Sequence, residues 1–121
     1  MRIEGKREVL EIERADVSGA NYHDVNLSGS KFDDVNMSRV DITRANLAGV
    51  TLDDCAMPGA RFHNMNLTGT TFSQVNMGRV IIEDATLTAV DIRNCKIDGL
   101  TIDGVSIAEL LAAHRANSVS N

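Results

Sequence analysis

Eight side chains would carry most of this chain's chemistry if they met: His23 and His63, Cys55 and Cys95, and the acidic set Asp33, Asp34, Asp53 and Asp54. A cysteine beside a histidine makes a nucleophile, because the thiolate is the reactive form and an imidazole can take its proton. Clustered carboxylates offer oxygens to a hard cation such as calcium, which wants about six or more of them on a shaped loop. Whether either chemistry is open depends on the elements that carry these residues.

The spacing of the apolar residues identifies those elements. Every fifth residue from Ile12 to Ile107 is apolar, among them Tyr22, Phe32, Met57, Phe62 and Met77. The residues two earlier are nearly all Ala, Val, Cys, Met or Leu, with Ser30 and Thr70 as small polar exceptions. No insertion breaks the count between Leu10 and Glu109. A helix cannot use this pattern, since five residues advance about 140° around its axis and would spread the apolar positions over every side. A straight strand fails too, because the alternating steps of two and three would flip each following pair outward. The chain must therefore turn once per pentad, each pentad being a short extended piece with two inward side chains and a corner.

Corner chemistry agrees. Seven of the nine glycines (Gly19, Gly29, Gly49, Gly59, Gly69, Gly99, Gly104) stand two places after the central apolar residue. Met57-Pro58-Gly59-Ala60 places Pro and Gly where a type II turn prefers them. At Asp34, Arg39, Arg44, Asp54 and Arg79, which lack glycine, a type I-like corner is expected. The identity of the central residue returns after twenty: Leu27, Leu47, Leu67 and Leu87 form one column, Met37, Met57 and Met77 another. Four pentads thus make one coil. About five coils stacked at about 4.8 Å give a square rod about 24 Å long.

ANLAG (45–49), with ADVSG (15–19), VNLSG (25–29), MNLTG (65–69) and ATLTA (85–89) close behind, resembles the A(D/N)LXX consensus of the pentapeptide-repeat family. The resemblance implies an all-β fold, a right-handed quadrilateral β-helix. Residues 1–9 read as an N-terminal start, 10–109 as the repeat solenoid, and 110–121 as a short C-terminal capping α-helix with a frayed tail. Ser106-Ile107-Ala108-Glu109 is a capping box, and the helix after it is expected to lay Leu110, Leu111 and His114 over the last coil. The alternative use of that helix is a dimer contact, since members of the family often pair through their C-terminal ends.

This architecture decides the opening question against catalysis. Cys55 and Cys95 point inward while His23 and His63 point outward, so no Cys-His pair forms from adjacent positions. A disulfide is excluded because the cysteines lie two coils apart, about 9.6 Å, beyond the reach of about 7 Å between Cα atoms. Both read as buried free thiols in a reducing compartment. No uncharged apolar run approaches membrane-spanning length, and the chain reads as soluble and cytoplasmic. A straight rod without inserted loops lacks a substrate pocket. No enzyme activity and no cofactor are expected.

The outer faces differ in charge. The face carrying Asp33, Asp34, Asp53 and Asp54 holds seven acids against three bases; the opposite face is also acidic, and a slightly basic side carries Arg39, Arg79 and Lys96. Carboxylates about 5 Å apart repel by only about 0.8 kcal/mol in water, so the acidic patch is a solvated face that needs no metal. The fourth side is nearly uncharged, with columns Asn26, Asn46, Asn66 and Gly29, Gly49, Gly69. It reads as structural, an Asn ladder over identical corners, or as a flat docking surface.

The chain has a net charge of −5 and no basic footprint, which argues against direct nucleic-acid binding. The function expected is a rigid, non-catalytic protein–protein interaction module with an unidentified protein partner, monomeric or dimeric through its C-terminal helix. The resemblance also supplies an alternative: some family members mimic B-form DNA, bind DNA gyrase, and inhibit it or protect it from quinolones. Charge argues against this, because duplex DNA of the rod's length carries about 14 negative charges.

Overall fold

A five-residue extended piece cannot bury its inward side chains alone, so each pentad depends on the pieces stacked above and below it. The structure, a computed structural model, describes residues 2–4 and 11–119, with side chains from 11 to 116. In chain order the strands are β1 (Arg2–Glu4), β2 (Glu11–Glu13), β3 (Asn21–His23), β4 (Lys31–Asp33), β5 (Asp41–Asn46), β6 (Thr51–Asp53), β7 (Arg61–Asn66), β8 (Thr71–Ser73), β9 (Ile81–Thr86), β10 (Asp91–Arg93), β11 (Thr101–Ile102) and β12 (Val105–Ser106), followed by helix α1 (Ile107–Val119).

Odd-numbered strands β1 to β11 stack in one sheet that ends in β12, and β2, β4, β6, β8 and β10 stack in the other. All pairings are parallel except β11 with β12. The register from β2 to β11 is twenty throughout, as in Phe32↔Leu52↔Phe72↔Ile92. The other two walls are thinner: a ladder of bridges Asp16↔Asn36↔Ala56↔Asn76↔Lys96, and Asn26↔Asn46 continuing through the second halves of β5, β7 and β9. The chain is the quadrilateral β-helix expected, with four walls and about five coils.

The inward positions make the core. Tyr22, Leu27, Phe32, Met37, Ile42, Leu52, Met57, Phe62, Leu67, Phe72, Met77 and Ile82 are all fully buried. Phe62 and Phe72 meet across the interior with ring centroids 6.4 Å apart. Thr70, one of the two inward polar exceptions, donates its hydroxyl to the Leu47 carbonyl at 2.8 Å, which removes the cost of burying it. Ser30, the other, is equally buried. Tyr22 is different: its hydroxyl is buried without a hydrogen-bond partner among the described residues, and burial raises its pKa.

Two corner types alternate. One is the type II turn, closed at Pro58-Gly59 by Ala60 N–H donating to the Met57 carbonyl at 3.2 Å, with Gly59 at φ 72°. The other is a bend with one residue in the left-handed region, such as Asp34 (φ 55°), Arg44 (φ 52°) or Asp54 (φ 54°). The type I-like corners expected at the glycine-free positions do not form, because type I needs negative φ at both central residues. Arg39 and Arg79, both at φ 56°, instead copy the glycine corner, down to the closing bonds from Val40 and Val80. Stacking explains it: a corner of different shape would break register with the coils on either side.

The last coil ends differently from the sequence expectation. Asp103 and Gly104, at φ 48° and 79°, form a two-residue hairpin that reverses β11 into β12. Helix α1 therefore begins at Ile107 rather than after Glu109, with Ser106 Oγ accepting the Glu109 amide as its cap. It runs through Val119, taking in most of the tail expected to fray. At the other end β1 pairs with β3, while residues 1 and 5–9 of the expected N-terminal start, and 120–121, lie outside the described residues.

Three substitutions test this account. Gly49 sits at φ 70° with open space around its Cα, so Gly49→Ala should cost about 1 kcal/mol from backbone strain alone. Gly99→Ala should cost more, since its new Cβ would lie 2.9 Å from Arg79 Cγ. Denaturant melts of the pair check the order. Tyr22→Phe removes the unpartnered hydroxyl and should raise stability by about 1 kcal/mol in the same assay.

Candidate functional site

The Asn column is built by the corners rather than by contact between asparagines. Asn26 Oδ1 accepts the Ser28 amide at 3.0 Å, Asn46 Oδ1 that of Ala48 at 3.0 Å, and Asn66 Oδ1 that of Thr68 at 2.9 Å. The same Asx turn recurs at Asp16, Asn36 and Asn76 on the opposite wall. This is the physical reason for Asp or Asn at the second repeat position: a short side chain with an acceptor oxygen satisfies the amide two residues on. The expected ladder of Asn side-chain hydrogen bonds is absent among the described residues. Gly29, Gly49 and Gly69 stack beside this column in the left-handed region. At Asp16 the hydrogen bonds from Ser18 hold the carboxyl below the usual carboxylate pKa.

The acidic set is brought together as the period implies. Asp33 and Asp53 are register partners on β4 and β6, and Asp34 and Asp54 occupy the corners that follow. All four are exposed. No three His, Cys, Asp or Glu side chains are grouped to hold a metal among the described residues.

The histidines, which the register points outward, have charged neighbours on the surface. His23 Nε2 lies 3.3 Å from Asp24 Oδ2 and against Arg44 Nη2, while Arg44 Nε donates to Asp24 Oδ1 at 2.8 Å. His63 Nδ1 lies 3.5 Å from Glu83 Oε2, within ion-pair distance but outside hydrogen-bond geometry. The period of twenty was the signal available for both clusters, since it places residue 24 beside 44 and 63 beside 83. Exposed pairs of this kind contribute only about 0–1 kcal/mol.

The thiols stay apart from the histidines and from each other, and both are free. Cys55 is buried, and desolvation raises its pKa; its Sγ donates to the Asp53 and Phe32 carbonyls. Cys95, expected to be buried too, is only half buried, because the last coil has no coil above it.

That exposed end is the most distinctive surface. The amides of Leu67, Gly69, Gln74, Met77 and Arg79 donate to carbonyls of the last coil. Their counterparts on the last coil itself, Leu87, Ala89, Asn94, Ile97 and Gly99, have no partner among the described residues. The Asp84 amide, at another corner of this end, donates to Asp103 Oδ1 at 3.0 Å. Leu87, Val90, Ile92, Cys95, Ile97 and Ile102 are correspondingly only partly buried. Helix α1 does not cover them: Ile107 packs on the core, but Leu110 and Leu111 are 53% and 36% exposed, and His114 is exposed as well. The hairpin at Asp103-Gly104 turns the chain before the helix starts, so the covering role expected for Leu110, Leu111 and His114 is not realised.

Fold and surface together define a stacked-coil scaffold. The chain matches the pentapeptide repeat region over residues 11–80, more than half its length, and it belongs to the pentapeptide-repeat family. Among solved structures it is similar to the pentapeptide repeat protein Rfr23 from the cyanobacterium Cyanothece 51142, with 17% identity over 84% of this chain and 91% of that one and a TM-score of 0.39. It is also similar to HetL, involved in heterocyst differentiation regulation in Nostoc sp. strain PCC 7120, at 14% identity over 84% of this chain and a TM-score of 0.40; it spans 60% of that chain. QnrB1, a plasmid-mediated fluoroquinolone resistance protein, matches at 17% identity over 96% of this chain and 90% of that one, with a TM-score of 0.28. No curated protein matches the chain.

The thiols give a direct check. At pH 8 the thiol reagent DTNB should label Cys95 in the folded protein and Cys55 only on unfolding. Because burial raises the Cys55 pKa, raising the pH by one unit should speed its labelling less than it speeds that of a free thiol. Rapid labelling of Cys55 in a Cys95→Ala variant would contradict the burial assigned to it.

Proposed function

We propose that the chain is a non-catalytic protein–protein interaction scaffold of a reducing, cytoplasmic compartment that pairs with a second copy of itself through the open C-terminal end. The observation that carries this reading is the last coil: an apolar ring left half exposed, a row of amides without partners among the described residues, and Leu110 and Leu111 in solvent beside it. An unpaired strand edge is a template for another edge. A second copy suits it because a two-fold axis brings one patch against itself, and this edge offers both donors and acceptors. Free thiols fit the reducing compartment.

The gyrase reading gains no support from the surface, since a slightly basic side carrying Arg39 and Arg79 separates the two acidic faces.

Light scattering on the size-excluded full chain tests the pairing. The expected result is about twice the 13.1 kDa chain mass, falling to one chain in Leu110→Glu/Leu111→Glu with an unchanged strand spectrum. A wild-type monomer at high concentration would overturn pairing at this end.

A further inference from the structure

One corner column alternates between the smallest residue and the longest cation: Gly19, Arg39, Gly59, Arg79, Gly99. The two arginines hold the left-handed conformation that the stacked coils impose on this column and that glycine adopts freely. Both side chains are exposed. Arg14, Arg44 and Arg93 each have a carboxylate within 4.0 Å, whereas Arg39 and Arg79 have neither an ion pair nor a side-chain hydrogen bond among the described residues. Between them lies a shallow hollow of about 410 Å³ lined by Ser38, Arg39, Pro58, Gly59 and Arg79. Ser38 is already committed to Asn36, which leaves the guanidiniums as the donors facing a ligand.

The direction of the side chains sets the ligand's geometry. Arg39 Cγ lies over the bare corner of Gly59, 3.4 Å from where a Cβ would stand, and Arg79 Cγ lies over Gly99 at 2.9 Å. Both stems lean the same way along the rod, so the charges keep the two-coil spacing of about 9.6 Å and do not converge on one small anion. Side chains on one face of a strand recur at about 7 Å and about 14 Å, and neither matches. On an α-helix, residues i and i+7 lie on one face about 10.5 Å apart.

We infer that this corner docks an acidic helix of a partner protein, lying along the rod with carboxylates at i and i+7 on Arg39 and Arg79 and an apolar side chain at i+4 over Pro58-Gly59. Arginine suits the task because its planar fork binds a carboxylate through two N–H groups. Grooves that take a helix read its residues at such spacings. The inference deepens the interaction-scaffold reading and does not use the C-terminal end, so the two can fail separately.

The test is fluorescence anisotropy at low salt with a labelled Ala-rich helical peptide carrying Glu at i and i+7 and Leu at i+4. Control peptides replace both Glu by Gln, or set them five apart on different faces. Arg39→Gly and Arg79→Gly are the protein variants, chosen because glycine relieves the corner and should leave the melting temperature equal or higher. Saturable binding to the wild type that weakens roughly tenfold in either variant and in both control peptides supports the inference. It is overturned if the variants or the Gln peptide bind as well as the originals, or if nothing binds at about 1 mM. Self-association that either variant abolishes, without peptide binding, would assign the corner to a second copy and overturn it too.

Discussion

An amide that points along the rod axis must find a carbonyl in the neighbouring coil. Val17 donates to Asn36 and Leu27 to Asn46, while in the other direction Asn36 donates to Ala15 and Asn46 to Val25. An unpaired buried amide costs about 1–3 kcal/mol, and the rod contains dozens of these groups, so any coil of another length would forfeit many bonds together. Constancy of coil length is therefore the constraint from which the remaining features follow.

Corners are the first to follow. If every coil must superpose on the next, every corner in a column must have one shape, whichever residue stands there. Arg39 and Arg79 accept the left-handed geometry that Gly59 adopts freely, and Asp34 and Asp54 share theirs with Gln74. The Asx turns at Asn26, Asn46 and Asn66 serve the same end, feeding the amide that the sharp turn would otherwise strand. Stacking then explains why the inside is narrow: one Leu, Met, Phe or Ile per wall per coil fills it, and Thr70 fits only by bonding to the Leu47 carbonyl.

The same constraint creates the functional surfaces. A ladder that satisfies each coil through its neighbour must leave the final coil unsatisfied, which is why Leu87, Ile97 and their amides are available at one end. Along the sides it converts a sequence interval into a distance. Asp24 meets Arg44, His63 meets Glu83, and Arg39 and Arg79 are held two coils apart with a glycine corner between them. A rod of this kind offers fixed spacings on flat walls, a geometry suited to recognising another protein.

The coil could be read from the chain: the five-residue apolar register, the return at twenty, the Pro58-Gly59 turn and the separation of the thiols were all legible, because periodicity and turn chemistry act locally and repeat. The register also makes Asp33 and Asp53 strand partners. Tertiary structure decided what happens where repetition meets its neighbours or stops. Residues 39 and 79 adopt the glycine geometry because adjacent coils impose it, against their own preference. The register puts His23 and Asp24 next to Arg44, but the side-chain directions that close the contact are settled only in the fold. At the end of the rod, Asp103-Gly104 reverses the strand, leaving Leu110, Leu111 and His114 in solvent and Cys95 half exposed. A capping box can start a helix, but where that helix goes depends on the turn before it.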